Sequence, residues 1–321
     1  MEQIVWSEKT VLVAGAAGFL PSHLSEFYLN KGATVIGIDN FITGMPRNAD
    51  YLKKFEKFEF IEGDICNKAT FEKLKDRSID YIFSMASPAS PIDFDKIPLE
   101  IMKVNAIGTW NLLDLAKKNQ ARFLEASTSE AYGDPLVHPQ KETYFGNVNP
   151  NGPRSCYDES KRFAEALTLS HASKNGTDTR IVRIFNTYGP RMRPDDGRVI
   201  PNFISQALEG KALTLHGDGS QTRSFCFVSD LIDGIHLVMM SDYTKPVNVG
   251  NPVERSILDA AEITIKTLNS SSKIESVSSF REDDPMKRCP NIDLLKSLGD
   301  FSPKVSFEEG LKRTAEYFQS L

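Results

Sequence analysis

The segment that most restricts the fold lies near the start. Residues 10–14 (Thr-Val-Leu-Val-Ala) form a short apolar run that ends on Gly15-Ala16-Ala17-Gly18-Phe19-Leu20-Pro21. A helical pattern follows, with Phe19, Leu20, Leu24, Phe27 and Tyr28 on one face and Gly32 as its stop. Strand, glycine turn and helix in that order bring free backbone N–H groups and a positive helix end to one spot. Such a spot suits a pyrophosphate, and glycine lets the backbone approach it. The next apolar run, residues 33–39, ends in Asp39. A carboxylate there accepts hydrogen bonds from ribose hydroxyls and repels a 2′-phosphate, so NAD is expected rather than NADP. Arg47 nearby pulls the other way.

Glycine spacing alone also fits an ordinary tight turn. The acidic strand end is what favours the dinucleotide. The expected cofactor contacts are Gly15, Ala17, Gly18, Phe19 and Leu20, with Asp39 and Asn40. Asp64 and Ile65, after the third strand, complete the adenine side. Pro21 stands where dinucleotide-binding turns commonly carry a third glycine. Proline is tolerated in a first helical turn but adds bulk, so altered affinity is expected, with the site kept.

The alternation continues. Residues 58–61, 80–86, 121–127 and 179–185 read as strands. Helical patterns span 98–119, with Pro98 in the first turn, and start again near Tyr157. This rhythm predicts a Rossmann-type α/β fold, a doubly wound parallel sheet with helices on both faces. It stops after Phe185, and 189–197 reads as loop. We expect an NAD-binding domain over 1–185 and a smaller C-terminal α/β substrate domain over 186–321, with 228–250 returning to the first. A final helix is expected over 306–319.

Composition narrows the partners. The 321 residues carry a formal net charge of −5 without a long basic run, which disfavours nucleic acid. No apolar stretch is long enough to span a membrane, and the N-terminus lacks a secretory pattern, so a cytoplasmic protein is expected. Cys66, Cys156, Cys226 and Cys289 are far apart, which indicates neither a metal site nor a disulfide framework. Cys156 beside the tyrosine reads as a small neighbour.

Tyr157 and Lys161 are spaced to share a helix face. A free tyrosine is a poor base near neutrality, but a nearby ammonium and a positive nicotinamide favour phenolate. Lysine can also hold the nicotinamide ribose. The spacing is common on surface helices; its place after the fifth strand gives it meaning. Thr128, Ser129 and Glu130 end that strand, at the edge where such sheets bind ligands. Thr128 suits a sugar hydroxyl beside Tyr157, and Glu130 adds a carboxylate.

On these residues the chain resembles the extended short-chain dehydrogenase/reductase family of nucleotide-sugar enzymes. The similarity spans nearly the whole chain. It is most specific over 86–91, 126–139, 152–162, 183–192 and 219–231. Within the family it is most similar to members that decarboxylate UDP-glucuronate. The resemblance implies NAD-dependent oxidation at sugar C4, loss of carbon dioxide, and return of hydride to give UDP-xylose. It assigns Ser129, Glu130 and Arg288 to the decarboxylation step. It places Ser87, Pro88 and Asn186 along the substrate crevice, and Arg191, Arg223 and Arg288 near phosphate, uridine or sugar. It also implies a homodimer joined through the helices near Pro98 and Tyr157. A 4,6-dehydratase carries an acid where this chain has Ser129. The remaining alternatives are a UDP-glucuronate 4-epimerase and a catalytically silent NAD-binding protein.

Overall fold

The computed structural model describes residues 4–277 and 285–321. Its centre is a seven-stranded sheet in which every neighbouring pair is parallel. Strands β1 (Thr10–Ala14), β2 (Thr34–Asp39), β3 (Phe58–Glu62), β4 (Tyr81–Ser84), β5 (Arg122–Thr128) and β6 (Thr179–Ile184) follow chain order. The seventh strand, Pro246–Val249, pairs with β6. Across the sheet the order runs from that strand through β6, β5, β4, β1 and β2 to β3. The direction of winding reverses between β1 and β4, which opens a crevice at the strand ends.

Central strands buried on both faces need apolar residues in both alternating sets. Val11 and Val13 face one layer with Leu24, Tyr28, Ile232 and Ile235. Leu12 and Ala14 face the other with Leu112, Leu113 and Ala116. Leu12 is fully buried, so Leu12→Ala would cost about 2–5 kcal/mol. Among the described residues no helix is long and apolar enough to cross a membrane.

The helical pattern over 98–119 folds as Pro98–Lys103 and Thr109–Asn119, joined by a π turn at Val104–Gly108. The turn carries the buried Asn105, whose Nδ2 donates to Ser160 Oγ at 2.9 Å and to Ser87 Oγ at 3.1 Å. It thereby ties the strand-end segment after β4 to the helix Ser155–Asn175, which begins just before Tyr157. The expected strand over 80–86 stops at Ser84, because the chain then turns along the crevice.

Beyond β6 the chain builds small sheets against helices. The helix Val228–Met240 packs on α1 (Phe19–Asn30), and the seventh strand follows it. Thr222–Ser224 pairs antiparallel with Glu254–Ser256 and parallel with Lys287–Arg288. That second pairing sets Arg288 beside Arg223 and brings it back toward the end of β5. The helix Phe307–Gln319 packs against Val199–Leu208 and Ile257–Thr267.

Candidate active site

A cavity of 440 Å³ lies at the crevice and is walled by both halves of the chain. Its first wall is the turn after β1. Gly15 has φ +81°, and a Cβ there would sit 2.9 Å from the Ala86 backbone, so only glycine fits. Gly18 caps α1, and Phe19 and Leu20 begin it. Pro21 is the third helical residue, where no intrahelical donor is required. The Ala17 carbonyl, which an N–H at position 21 would approach in a regular helix, instead accepts Met45 N–H at 2.9 Å and Asn48 Nδ2 at 3.0 Å.

Asp39 lies across this turn and is buried. Its Oδ2 accepts the Ala17 N–H at 3.0 Å and its Oδ1 the Phe41 N–H at 2.7 Å. Burial pushes its pKa upward, and those N–H donors oppose the shift. The loop after β2 closes tightly, so that a Cβ on Gly44 would meet Asp39 Oδ1 at 2.6 Å. Asn40, Asp64 and Ile65 continue the same wall. Asp64 Oδ1 accepts the Cys66 N–H at 2.8 Å, and burial with Asp64 nearby raises the Cys66 thiol to about 12. Arg47 does not line the cavity; its guanidinium lies over the Tyr317 ring at 5.9 Å. A close glycine turn at a helix start with a carboxylate opposite fits a dinucleotide that carries a free 2′-hydroxyl.

The second wall holds the tyrosine–lysine pair. Tyr157 and Lys161 lie one helical turn apart and both line the cavity. Phe94 stacks on the Tyr157 ring at 5.1 Å. Burial drives the phenol pKa well above its ordinary value; a Thr128 hydrogen bond and the Arg198 charge pull it down, and Glu130 pushes it up. Lys161 is buried one turn further along the same helix. Its Nζ donates to the Ala126 carbonyl at 2.7 Å and pairs with Glu125 at 3.2 Å. The ammonium is met by a buried carboxylate, so its charge is not left to act on the phenol alone.

The end of β5 carries a second charged cluster. Thr128 accepts the Glu130 N–H at 3.2 Å and caps the short turn Ser129–Tyr132. Glu130 pairs with Arg154 at 2.8 Å and with Arg288. Burial raises its pKa, but the two guanidiniums win and hold it at about 2. Arg288 is buried and does not reach the cavity wall. It backs the cluster, donating to Ser129 Oγ at 3.3 Å and to the Gly133 carbonyl at 2.8 Å. Asp158 lies behind, and burial together with Glu130 raises its carboxyl to about 8.

The far wall comes from the second half. Ser87, Pro88, Asn186 and Arg223 line the cavity. Arg223 is buried and donates to the Thr222 carbonyl at 2.9 Å. Arg191 also lines the cavity, but its guanidinium bonds Glu26 and lies over Tyr51 at 4.3 Å. Arg198, paired with Asp196, stands nearer Tyr157.

Sequence reading missed Asn105, Glu125, Arg154 and Arg198. Glu125 had a visible signal: a charge inside a run that had to be an interior strand.

A parallel sheet with a glycine turn, an acidic strand end and a tyrosine–lysine pair defines a dinucleotide-dependent enzyme of the short-chain dehydrogenase type. The model of the NAD dependent epimerase/dehydratase family matches residues 11–250, and the chain belongs to that family. UDP-glucuronic acid decarboxylase 1 of Danio rerio is 46% identical over 97% of this chain and 72% of its own length. UDP-glucuronic acid decarboxylase 5 of Arabidopsis thaliana is 47% identical over 98% of this chain and 90% of its own. Among solved structures, UDP-glucuronic acid 4-epimerase from Bacillus cereus, in complex with UDP-glucuronic acid and NAD, superposes with a TM-score of 0.86. It is 30% identical, over 97% of this chain and 99% of its own. UDP-glucose 4-epimerase from Thermotoga maritima gives a TM-score of 0.89 at 28% identity, over 97% and 99% of the two chains.

Proposed function

We propose that the protein is an NAD-dependent decarboxylase that converts UDP-glucuronate to UDP-xylose through a 4-keto sugar. The observation that carries this reading is the cluster of Ser129, Glu130, Arg154 and Arg288 at the end of β5, beside Tyr157. Two guanidiniums around one carboxylate leave it net positive, which suits a uronate carboxylate. Ser129 cannot supply the acid that dehydration at C6 requires. Similarity of 46–47% to decarboxylases over almost the whole chain supports the same substrate.

Gly15, Gly18 and the start of α1 would hold the pyrophosphate of NAD. Asp39 would hold its adenosine ribose, and Tyr157 with Lys161 its nicotinamide ribose. When bound, NAD supplies a hydride acceptor for C4 and gives the hydride back within the same turnover. Tyr157, oriented by Thr128 and favoured as phenolate by the nicotinamide cation that would lie beside it, would take the C4 hydroxyl proton. The sugar is then a β-keto acid. The C5–C6 bond breaks, carbon dioxide leaves, and the electron pair moves into the C4 carbonyl as an enolate. Tyr157, now a phenol, donates a hydrogen bond to that oxygen. A proton adds at C5, and Tyr157 returns its own proton to O4 on reduction. Arg223, Asn186 and Ser87 would face the nucleotide diphosphate and sugar, with Arg198 as an additional cation. Guanidinium groups suit phosphate oxygens.

The protein works as a homodimer in this reading. Leu99, Met102 and Trp110 on the two helices of 98–119, Ile107 in the π turn between them, and Phe163 on Ser155–Asn175 are all exposed. The helices of 98–119 pack against Ser155–Asn175, so these side chains suit a second copy of the same pair.

Tyr157→Phe tests the chemistry. Loss of C4 oxidation by about 10²-fold or more, with UDP-glucuronate still bound, is expected. Unchanged turnover would remove Tyr157 as the base.

A further inference from the structure

Glu125 is a buried charge that the reaction above does not use. It lies in the middle of β5 and is fully buried. Strand alternation sends it to the same face as Phe123, toward the helices Thr109–Asn119 and Ser155–Asn175. Its Oε1 pairs with Lys161 Nζ at 3.2 Å, and its Oε2 accepts Thr109 Oγ1 at 3.4 Å. Further along this face, the buried Glu165 and the partly buried Arg183 pair with each other at 2.7 Å. Glu125 is therefore the counterion of Lys161. An ion this deep is kept only when paired, and a leucine or phenylalanine would suit the surrounding core without that cost.

We propose that Glu125 is a positioning residue for the cofactor half of the site: it holds Lys161 against the Ala126 carbonyl and cancels its charge, so that the lysine can meet the nicotinamide ribose without opposing the positively charged ring. This rests on the assignment of Tyr157 and Lys161 to the nicotinamide end of NAD. The charge of the pair matters beyond the hydrogen bond, because the oxidised ring is cationic and the reduced ring is neutral. With the pair intact, the two forms of the cofactor see a neutral floor. Without the carboxylate, the oxidised form alone meets an uncompensated ammonium.

The test is binding, not turnover. The dissociation constants of NAD and NADH are measured by calorimetry for wild type and Glu125→Gln. Gln keeps the shape and can still accept from Lys161. The ratio of the NAD constant to the NADH constant should rise about tenfold, because an unpaired charge at short range acts on the cation only. An unchanged ratio in folded Glu125→Gln overturns the proposal. Should that variant fail to fold, the paired replacement Glu125→Met with Lys161→Met leaves no buried charge. Both nucleotides should then bind more weakly with their ratio within about twofold of wild type, since no net charge has been added or removed. A ratio about tenfold lower would mean that Lys161 acts uncompensated in wild type, and the proposal fails. Wild-type protein that binds neither nucleotide would overturn the cofactor assignment, and the proposal with it.

Discussion

The carboxylate of Glu130 stands 2.8 Å from the Arg154 guanidinium, on the side of the cluster that faces the cavity. Arg288 holds the same carboxylate from behind. With its carboxyl held at about 2, Glu130 is ionised near neutral pH. Its folded pKa is depressed, so its stabilising contribution is present above the unfolded value of about 4.3 and is lost as pH falls toward 2. Glu130→Gln should flatten the acid side of the melting curve below about pH 4 and reduce carbon dioxide release. An acid limb identical to wild type would mean that the pair does not form.

Asp158 carries the opposite sign. Its Oδ1 is buried without a hydrogen-bond partner, and its carboxyl is raised to about 8. The folded state therefore holds a proton that the unfolded state releases, so stability falls as pH rises from about 4 to 8. Asp158→Asn should melt higher than wild type at pH 9, and the gap should close toward pH 4. A gap of constant size would remove the proton linkage.

Pro21 fixes the backbone of the first turn of α1 and is buried there. Pro21→Gly should lower stability by about 1 kcal/mol, through the added freedom of the unfolded chain and the lost ring. NAD should still bind, because Gly15 to Leu20, the contacts proposed for its pyrophosphate, are unchanged. Thermal melting with and without NAD measures both effects. Complete loss of binding would make the proline itself part of the cofactor site.

Trp110 is about half exposed on the 98–119 helices, next to the face of Ser155–Asn175. Trp110→Glu should turn a wild-type dimer into a monomer in light scattering, since an isologous contact meets the new charge twice. A wild-type chain that already runs as a monomer contradicts the assembly.

The fold was legible where periodicity was strong. The runs around Val11, Val35, Phe83 and Leu124 had to be interior strands, and the sheet they form brings Gly15, Asp39 and Tyr157 to one cavity. Spacing also placed Tyr157 and Lys161 on one helix face. What spacing could not supply was the partner of each charge. Lys161 meets Glu125 because β5 lies under that helix, and Glu130 meets Arg154 and Arg288 because three separate segments converge. Arg191 shows the same limit from the other side. The family resemblance implies a ligand for phosphate, yet the fold offers it Glu26 and Tyr51. The π turn at Asn105 leaves the helical pattern over 98–119 intact to the eye, since one extra residue shifts the face without breaking the run.

Decarboxylation is tested by product analysis. Purified protein is incubated with NAD and UDP-glucuronate labelled at C6, and gas and nucleotide sugars are measured together. Labelled carbon dioxide and an equal amount of UDP-xylose are expected, with NAD unconsumed. UDP-galacturonate that keeps its label, with no carbon dioxide, would make the enzyme an epimerase and not a decarboxylase.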